Sequence, residues 1–366
     1  MHDGTRVVRA GRPQPAQGEP FLPGPCFAAT YHLSGDPSTA ANTYGRSQNP
    51  TWTLYENAIG ELESGIAIAF ASGMGAVAAI FGSVLRPGDV LILPTDGYYT
   101  ARLLAEGFFT SMGVKVRLAP TARNAQSDFL AGAKLLWLET PSNPGLEVCD
   151  IAELCEKAHR VGALVAVDNT TPTMLGQRPL DLGADFSIAS DTKALLGHSD
   201  LLMGHVAVRD PAWAKKLITW RTQIGSIPGP MEVWLAHRSL ATLDLRLERM
   251  NANALAIAQF LCGRSEVKRV RYPGLPNDPS HGIAVKQMTR FGPILSFEFP
   301  GRTEAERWLS KCKLVDEATS FGSVHTTAER RARWGADQVA EGFIRFSAGC
   351  EHIDDLIADM TRAFEE

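Results

Sequence analysis

The chain has 366 residues, with 36 Lys and Arg against 40 Asp and Glu, and a net charge of −4. It therefore carries no basic field suited to nucleic acid or an anionic membrane. Hydrophobic content of 45% and charged content of 21% are those of a globular protein long enough for more than one domain. The six cysteines (Cys26, Cys149, Cys155, Cys262, Cys312 and Cys350) are scattered without a Cys-x-x-Cys pair. They argue for reduced thiols rather than a disulfide framework or a metal site. The opening residues Met1 to Arg6 form no apolar signal region, and no long apolar run follows, so a cytoplasmic location is expected.

Residues 1–46 show no clear periodicity. Pro13, Pro15, Pro20, Pro23 and Pro25 break any helix, yet Phe21, Leu22, Phe27, Tyr31 and Leu33 are too apolar for a solvated tail. An arm that packs on a neighbouring subunit is the expectation. Asn49-Pro50 reads as a turn and Thr51 as a helix N-cap. Leu54, Ala58 and Leu62 then recur at helical spacing until Ser64-Gly65. Residues 66–70 form a short apolar strand that runs into Ser72-Gly73-Met74, and a second apolar helix follows to about Leu85. A strand ending in Ser-Gly at a helix start turns backbone N–H groups toward an anion. Such turns are frequent in α/β proteins, so alone this one says little.

The alternation then repeats. Strands are predicted at 90–94, 114–118, 134–138 and 163–167, with a helix over 150–161. Such a series implies a mostly parallel sheet covered on both faces. Ligands in these sheets bind at the carboxyl ends of the strands, where Ser72, Tyr98, Asn143, Asp168 and Lys193 all fall. Lys193 follows the apolar run 184–189 inside Ser190-Asp191-Thr192-Lys193. A lysine held at a strand end and partly desolvated has a lowered pKa and a nucleophilic amine. The hydroxyls of Ser190 and Thr192 beside it suit a phosphate. A Schiff-base lysine with part of a phosphate cup fits pyridoxal phosphate (PLP); a surface lysine in a loop fits the same residues. Asp168 could pair with a pyridinium N–H or merely form a turn. Tyr98 and Tyr99 could stack on a ring or belong to the core.

Residues 203–208 read as a strand with antiparallel character. Residues 224–230 are the candidate boundary before a long helix over 231–261. Strands at 267–272, 294–299 and 343–347 and a helix over 352–364 suggest a smaller α+β domain. The expected division is an arm (1–46), a large cofactor-binding domain (47–229), and a long helix with the C-terminal domain (230–366). Arg345 lies within a strand between Ile344 and Phe346; if buried it needs an anionic partner, and the alternation also permits an outward-facing side chain.

Several motifs in order carry a family resemblance: Tyr44-x-Arg46-x-x-Asn49-Pro50-Thr51, Ser72-Gly73-Met74, Glu139-Thr140-Pro141-x-Asn143-Pro144, Val167-Asp168-Asn169-Thr170, Ser190-x-Thr192-Lys193-x-x-x-Gly197-His198-Ser199-Asp200, Arg238-x-Leu240-x-Thr242-Leu243, Tyr272-Pro273-Gly274-Leu275 and Arg345-x-Ser347-x-Gly349. Over nearly its whole length the chain resembles the Cys/Met-metabolism family of fold-type I PLP enzymes, which includes cystathionine γ-lyases, methionine γ-lyases and cystathionine γ-synthases. The resemblance implies the PLP-dependent transferase-like fold. This is α/β, with a mostly parallel central sheet, helices on both faces and a smaller C-terminal α+β domain. It implies that Lys193 carries PLP and moves protons, and that Asp168 holds the pyridine nitrogen. Gly73, Met74, Ser190 and Thr192 would bind the phosphate. Tyr44 and Arg46 would reach the cofactor of an adjacent subunit, in a catalytic dimer paired into a homotetramer. Tyr98 would stack on the ring and assist proton transfer, although Asp96-Gly97-Tyr98-Tyr99-Thr100 is one residue shorter than the family pattern. Arg345 would clamp the substrate carboxylate, with Asn143 and Ser320 nearby.

The implied activity is α,γ-elimination of a sulfur amino acid. L-Methionine would give methanethiol, 2-oxobutanoate and ammonia, whereas L-cystathionine would give cysteine in place of methanethiol. Thr319 stands where cystathionine γ-lyases resemble one another in having Glu. The cysteine typical of methionine γ-lyases after the stacking tyrosine is also missing, and Thr326 to Arg333 replace the usual Met-Thr-His segment. A γ-replacing synthase is the enzyme alternative, and a catalytically silent PLP-fold binding protein is the other. Neither a metal nor a nucleic-acid partner is expected.

Overall fold

The computed structural model describes residues 1–365. The expected alternation is realised as β1 (Ile66–Phe70), β2 (Val90–Pro94), β3 (Lys115–Ala119), β4 (Leu135–Glu139), β5 (Leu164–Asp168), β6 (Phe186–Ala189) and β7 (Gly204–Val208) in one seven-stranded sheet. Their spatial order is β1-β7-β6-β5-β4-β2-β3. The five strands β3, β2, β4, β5 and β6 pair in parallel, and β7 runs antiparallel between β6 and β1. Both faces are covered, which is why β2, β4 and β7 are buried at every residue rather than at alternate ones. On one face, helices Gly73–Val84 and Pro211–Ile224 bury Ile68, Phe81, Trp137, Phe186 and Val206. On the other, helix Pro50–Glu63 covers β1 and β7, while Ile151–Arg160 covers β4 and β5.

A second sheet takes in the C-terminal third. Its strands are β8 (Arg269–Arg271), β9 (Ile294–Glu298), β10 (Asp316–Glu317), β11 (Thr327–Arg330) and β12 (Phe343–Ser347), in the order β10-β11-β12-β9-β8. Helices Leu243–Cys262, Arg302–Lys311 and Ile353–Glu365 pack on it around Phe297, Trp308, Phe346 and Leu356.

Three local expectations are corrected. Asn49, not Thr51, caps helix Pro50–Glu63: its Oδ1 accepts the Thr51 N–H at 2.9 Å, and Pro50 fills the first helical position, where a missing N–H costs nothing. The arm contains a helix, Asp3–Arg9, ahead of its first proline; Asp3 pairs with Arg6 at 3.1 Å and with Arg178 at 2.7 Å. The long helix over 231–261 is two helices, Pro230–Leu240 and Leu243–Cys262. The chain leaves helical geometry at Thr242 (φ −109°, ψ 6°), and Arg246 donates to the carbonyls of Ser239, Ala194 and Leu195 beneath the break. Further along the arm, Phe21 and Phe27 stay exposed in the single chain.

One buried polar network ties the sheet to the segment that bears Lys193. His205 on β7 lies against Asp191 (Nδ1 to Oδ1, 2.5 Å) and Glu63 (Nε2 to Oε1, 3.3 Å), and Tyr55 donates to Asp191 Oδ2 at 2.8 Å. All four side chains are sealed from solvent. Burial alone would lower the His205 pKa, but the Asp191 carboxylate and, beyond it, Glu63 overcome this and raise it to about 10. The folded value lies above the unfolded one. His205 therefore stabilises the fold fully below the ordinary histidine value of about 6.5, and this contribution is lost as pH rises through about 10. The thermal midpoint, followed by circular dichroism, should fall between pH 7 and pH 10. His205→Asn should have a lower midpoint at pH 7 and a flatter profile above it. Parallel profiles for the two proteins would refute the charge assignment.

Candidate active site

The carboxyl ends of β4, β5 and β6 open onto a cavity of about 530 Å³. The structure brings Ser72, Gly73, Met74, Tyr98, Tyr99, Asn143, Asp168, Ser190, Thr192, Lys193, Ser320 and Arg345 to its wall. Tyr44 and Arg46 lie elsewhere: Tyr44 is 44% exposed, and Arg46 donates to the Thr222 carbonyl at 2.8 Å on the surface.

Lys193 leaves the end of β6 in a turn, and its Nζ donates to Ser320 Oγ at 2.7 Å. Nζ also sits 5.1 Å from the centre of the Phe321 ring. Burial, and then the neighbouring Arg345 guanidinium, lowers its pKa to about 8 against the partial support of Glu329 and Asp168. A larger share of free amine at neutral pH is what a nucleophile or general base needs. Ser320 has φ +76°, a left-handed conformation uncommon for a residue with a side chain and frequent at functional sites. Its neighbour Gly322, also left-handed at φ +76°, is required outright. A Cβ there would lie 2.5 Å from the Ala194 nitrogen, so the loop could not close on the Lys193 segment.

Arg345 is not outward-facing. Every residue of β12 is buried, because helices cover one side of the second sheet and the large sheet's strand-end loops cover the other. Nη1 donates to Asn143 Oδ1 at 2.9 Å and Nη2 to the Ser320 carbonyl at 2.9 Å. Its anionic partner is Glu329, directly opposite on β11, which accepts from Nη2.

Asp168 and Glu139 are register partners at the ends of β5 and β4. Asp168 Oδ1 accepts the Thr170 N–H at 3.0 Å. Burial raises its pKa, opposed by the bonds from Thr170 and the charge of Lys193. Glu139 accepts the amides of Tyr98 (2.6 Å) and Asn143 (2.9 Å). Burial first and the Asp168 charge second push its pKa well up. Two carboxylates this close favour one ionised member. Asp168, nearer the lysine, is the one suited to stay negative, and Glu139 orients the two loops.

On the opposite wall, Ser72 caps helix Gly73–Val84 by accepting the Gly75 N–H at 3.0 Å. The first-turn amides of Gly73 and Met74 lack intrahelical acceptors and line the cavity. Gly73 permits the approach to Ser190, since a Cβ would lie 2.6 Å from the Ser190 Cβ. Thr192 lines the wall too, but its hydroxyl already donates to the Met203 carbonyl at 3.1 Å and accepts the Met203 N–H at 3.0 Å. Ser190 is thus the freer of the two hydroxyls. Sequence reasoning missed Glu139, Glu329, Arg331 and Trp334. The last two line the cavity from the segment following β11.

The donor set fits PLP: an amine of lowered pKa, a carboxylate for a pyridinium nitrogen, aromatic rings, and a helix N-terminus with a serine hydroxyl for a phosphate. A doubly covered, mostly parallel sheet with these groups at its strand ends defines a fold-type I PLP-dependent enzyme. The chain belongs to the family described as Cys/Met metabolism PLP-dependent enzymes, which matches residues 4–365. It is 57% identical to a putative cystathionine gamma-lyase of Streptomyces coelicolor over 369 residues, covering 100% of this chain and 94% of that protein. Among solved structures, it is similar to apo CalE6, a methionine gamma lyase from Micromonospora echinospora. The TM-score is 0.92 at 36% identity, with 99% of each chain covered. It also resembles a cystathionine gamma synthase from Xanthomonas oryzae pv. oryzae, with a TM-score of 0.95 at 33% identity, covering 100% of this chain and 99% of that one.

If Lys193 is the cofactor lysine, borohydride treatment of the holoenzyme should fix a pyridoxyl group on the peptide carrying Lys193 and on no other. Capture of PLP by the apoprotein should accelerate as pH rises through about 8, where the amine loses its proton. Label on a different lysine, by peptide mass spectrometry, would refute the assignment.

Proposed function

We propose that the chain is a PLP-dependent carbon–sulfur lyase that eliminates the γ-substituent of a sulfur amino acid, L-methionine or L-cystathionine. The observation that carries this reading is Ser320, which joins the Lys193 amine to the Arg345 guanidinium and so sets base and carboxylate clamp a fixed distance apart. The relatives named as γ-lyases support it.

When bound, PLP withdraws electrons from the substrate and acidifies the protons on its α- and β-carbons. The residues then divide the work. Arg345 would hold the α-carboxylate through its fork of donors, oriented by Asn143. Lys193, with its amine at lowered pKa, would take the α-proton and then a β-proton, whose loss supplies the electron pair that expels the γ-thiolate. Asp168 would hold the pyridine nitrogen through its carboxylate. Gly73, Met74, Ser190 and Thr192 would hold the phosphate, with Thr192 acting mainly by bracing its segment. Tyr98, 37% exposed and in edge contact with Tyr99 at 5.4 Å, would give a proton to the departing sulfur. With one water consumed to release the amino nitrogen, the products are 2-oxobutanoate, ammonia and a thiol.

The holoenzyme should release equal amounts of 2-oxobutanoate and thiol from methionine or cystathionine, measured by keto-acid and free-thiol assays. Thioether formation from an activated homoserine and cysteine without keto acid would instead establish the γ-replacement reading.

The site is shared in this proposal. Tyr44 and Arg46 from a second copy would complete the phosphate pocket, in keeping with an apolar arm that stays exposed on the single chain. Arg46→Ala should weaken PLP retention about tenfold, as expected for one hydrogen bond to a charged group. Mixed with Lys193→Ala, it should regain activity through hybrids holding one intact site. Exchanged hybrids that stay inactive would show a site built from one chain.

A further inference from the structure

The substrate side of the cavity is organised by a residue outside its wall. Glu329 is buried, at 1% exposure, and its two oxygens take four donors. Oε1 accepts from Arg345 and, at 2.7 Å, from Arg331 Nη1; Oε2 accepts from Trp334 Nε1 at 2.9 Å and from Arg333 Nη2 at 3.2 Å. Three of these partners, Arg331, Trp334 and Arg345, line the cavity. The carboxylate thus fixes the clamp and the rim together. Local sequence assists: Thr327–Arg330 is a strand opposite β12, and the turn Arg331–Trp334 that follows brings Arg331, Arg333 and Trp334 back onto the glutamate.

The charges at this rim are already balanced. Arg331 is also held by Asp337, with Nε at 2.8 Å and Nη2 at 2.6 Å, and Arg333 by Glu317 at 2.7 Å. Three guanidinium groups therefore meet three carboxylates before any substrate enters. The substrate's α-carboxylate can join Arg345, where Asn143 and Ser320 already orient the fork. A second carboxylate at the far end would meet only paired arginines. A far ammonium would fare no better: among the described lining residues the carboxylates are Glu139 and Asp168, both at strand ends, and the rim offers Thr319 and the half-exposed Trp334. Desolvating either charge without a partner is costly, whereas an apolar chain end gains by lying on the indole.

We propose that Glu329 is the positioning residue for the substrate side of the cavity, and that the charge balance it completes selects amino acids with one carboxylate and an uncharged γ-substituent. The inference rests on the carbon–sulfur lyase reading and narrows its substrate class to a methionine-like thioether. Glu329 touches no substrate; it acts through Arg345, Arg331 and Trp334.

Norleucine and 2-aminoadipate test it, because they share a carbon backbone, lack sulfur and differ in whether the far end is a methyl or a carboxylate. Binding is read from the cofactor absorbance of the holoenzyme and by competition. The wild type should bind norleucine at least about tenfold more tightly than 2-aminoadipate. Glu329→Gln keeps the shape and an acceptor but leaves one positive charge uncompensated. It should weaken norleucine binding and narrow the gap by about tenfold. A residue with a merely structural role would weaken both ligands alike and leave their ratio unmoved, and that result would overturn the proposal. So would equal binding of the two by the wild type, a measurement that stands even if the variant does not fold. Failure of the holoenzyme to bind either amino acid would overturn the lyase reading itself. Tight 2-aminoadipate binding overturns only the substrate class.

Discussion

Ser320 holds the two sheets to one purpose. Its hydroxyl accepts the Lys193 amine from the end of β6, and its carbonyl accepts the guanidinium of Arg345 from β12. The lysine proposed as proton acceptor and the arginine proposed as carboxylate holder thus share one residue. Its left-handed backbone is the cost of facing both ways. Gly322, which admits the close approach to Ala194, lets the loop make the turn. Loosening this contact would not unfold either core, since each sheet has its own apolar cluster. It would separate Lys193 from Arg345, the proposed base and clamp, and positioning is where much of a catalytic advantage resides.

Each buried charge around the cavity has a partner before a ligand arrives, yet burial outweighs that partner at Asp168, Arg345 and Lys193 alike. Asp168 lies beside Lys193 and the Thr170 amide, and Arg345 lies beside Glu329. The balance bears most on Lys193. Arg345 and burial act against its charge more than Glu329 and Asp168 support it, and its amine is poised near neutral pH as a result. The Glu139–Asp168 pair makes the same point in carboxylates. Adjacent strands in register place the two acids side by side; Glu139 ties two loops, and Asp168 is the one proposed for the cofactor.

The sheet was legible because a parallel strand covered on both faces is a continuous apolar run, and such runs at 66–70 and 90–94 end where the structure ends them. Lys193, Asp168 and Asn143 were legible for a related reason: polar residues at or just beyond the ends of such runs lie at the carboxyl edge. The orientation of Arg345 was not. Alternation along β12 is silent once both of its faces are buried, and the residue that decides the matter, Glu329, is fixed by cross-strand pairing. The break at Thr242 carries no glycine or proline. It is set by the reach of Arg246 to Ala194 and Leu195. Trp334 and Arg331 were hidden because a turn after an unrecognised strand brings them to the rim.

Two of the buried ionic networks bear on the Lys193 segment and the cavity rim and do different work. The Tyr55, Asp191, His205 and Glu63 network faces helix Pro50–Glu63 and holds the segment from which the lysine emerges. The Glu329 network faces the opening and holds what the substrate would meet. Buried ion pairs of this kind add little net stability over an apolar core of the same volume, but breaking one partner leaves an exposed cost of several kcal/mol, on the order of 3–5. Their value is therefore geometric. An apolar core would let Lys193 and Arg345 drift among neighbouring rotamers. Asp191 and Glu329, each with both oxygens committed, leave the groups they hold few low-energy positions, and a lysine and an arginine proposed to act on one small amino acid need that constraint on both sides.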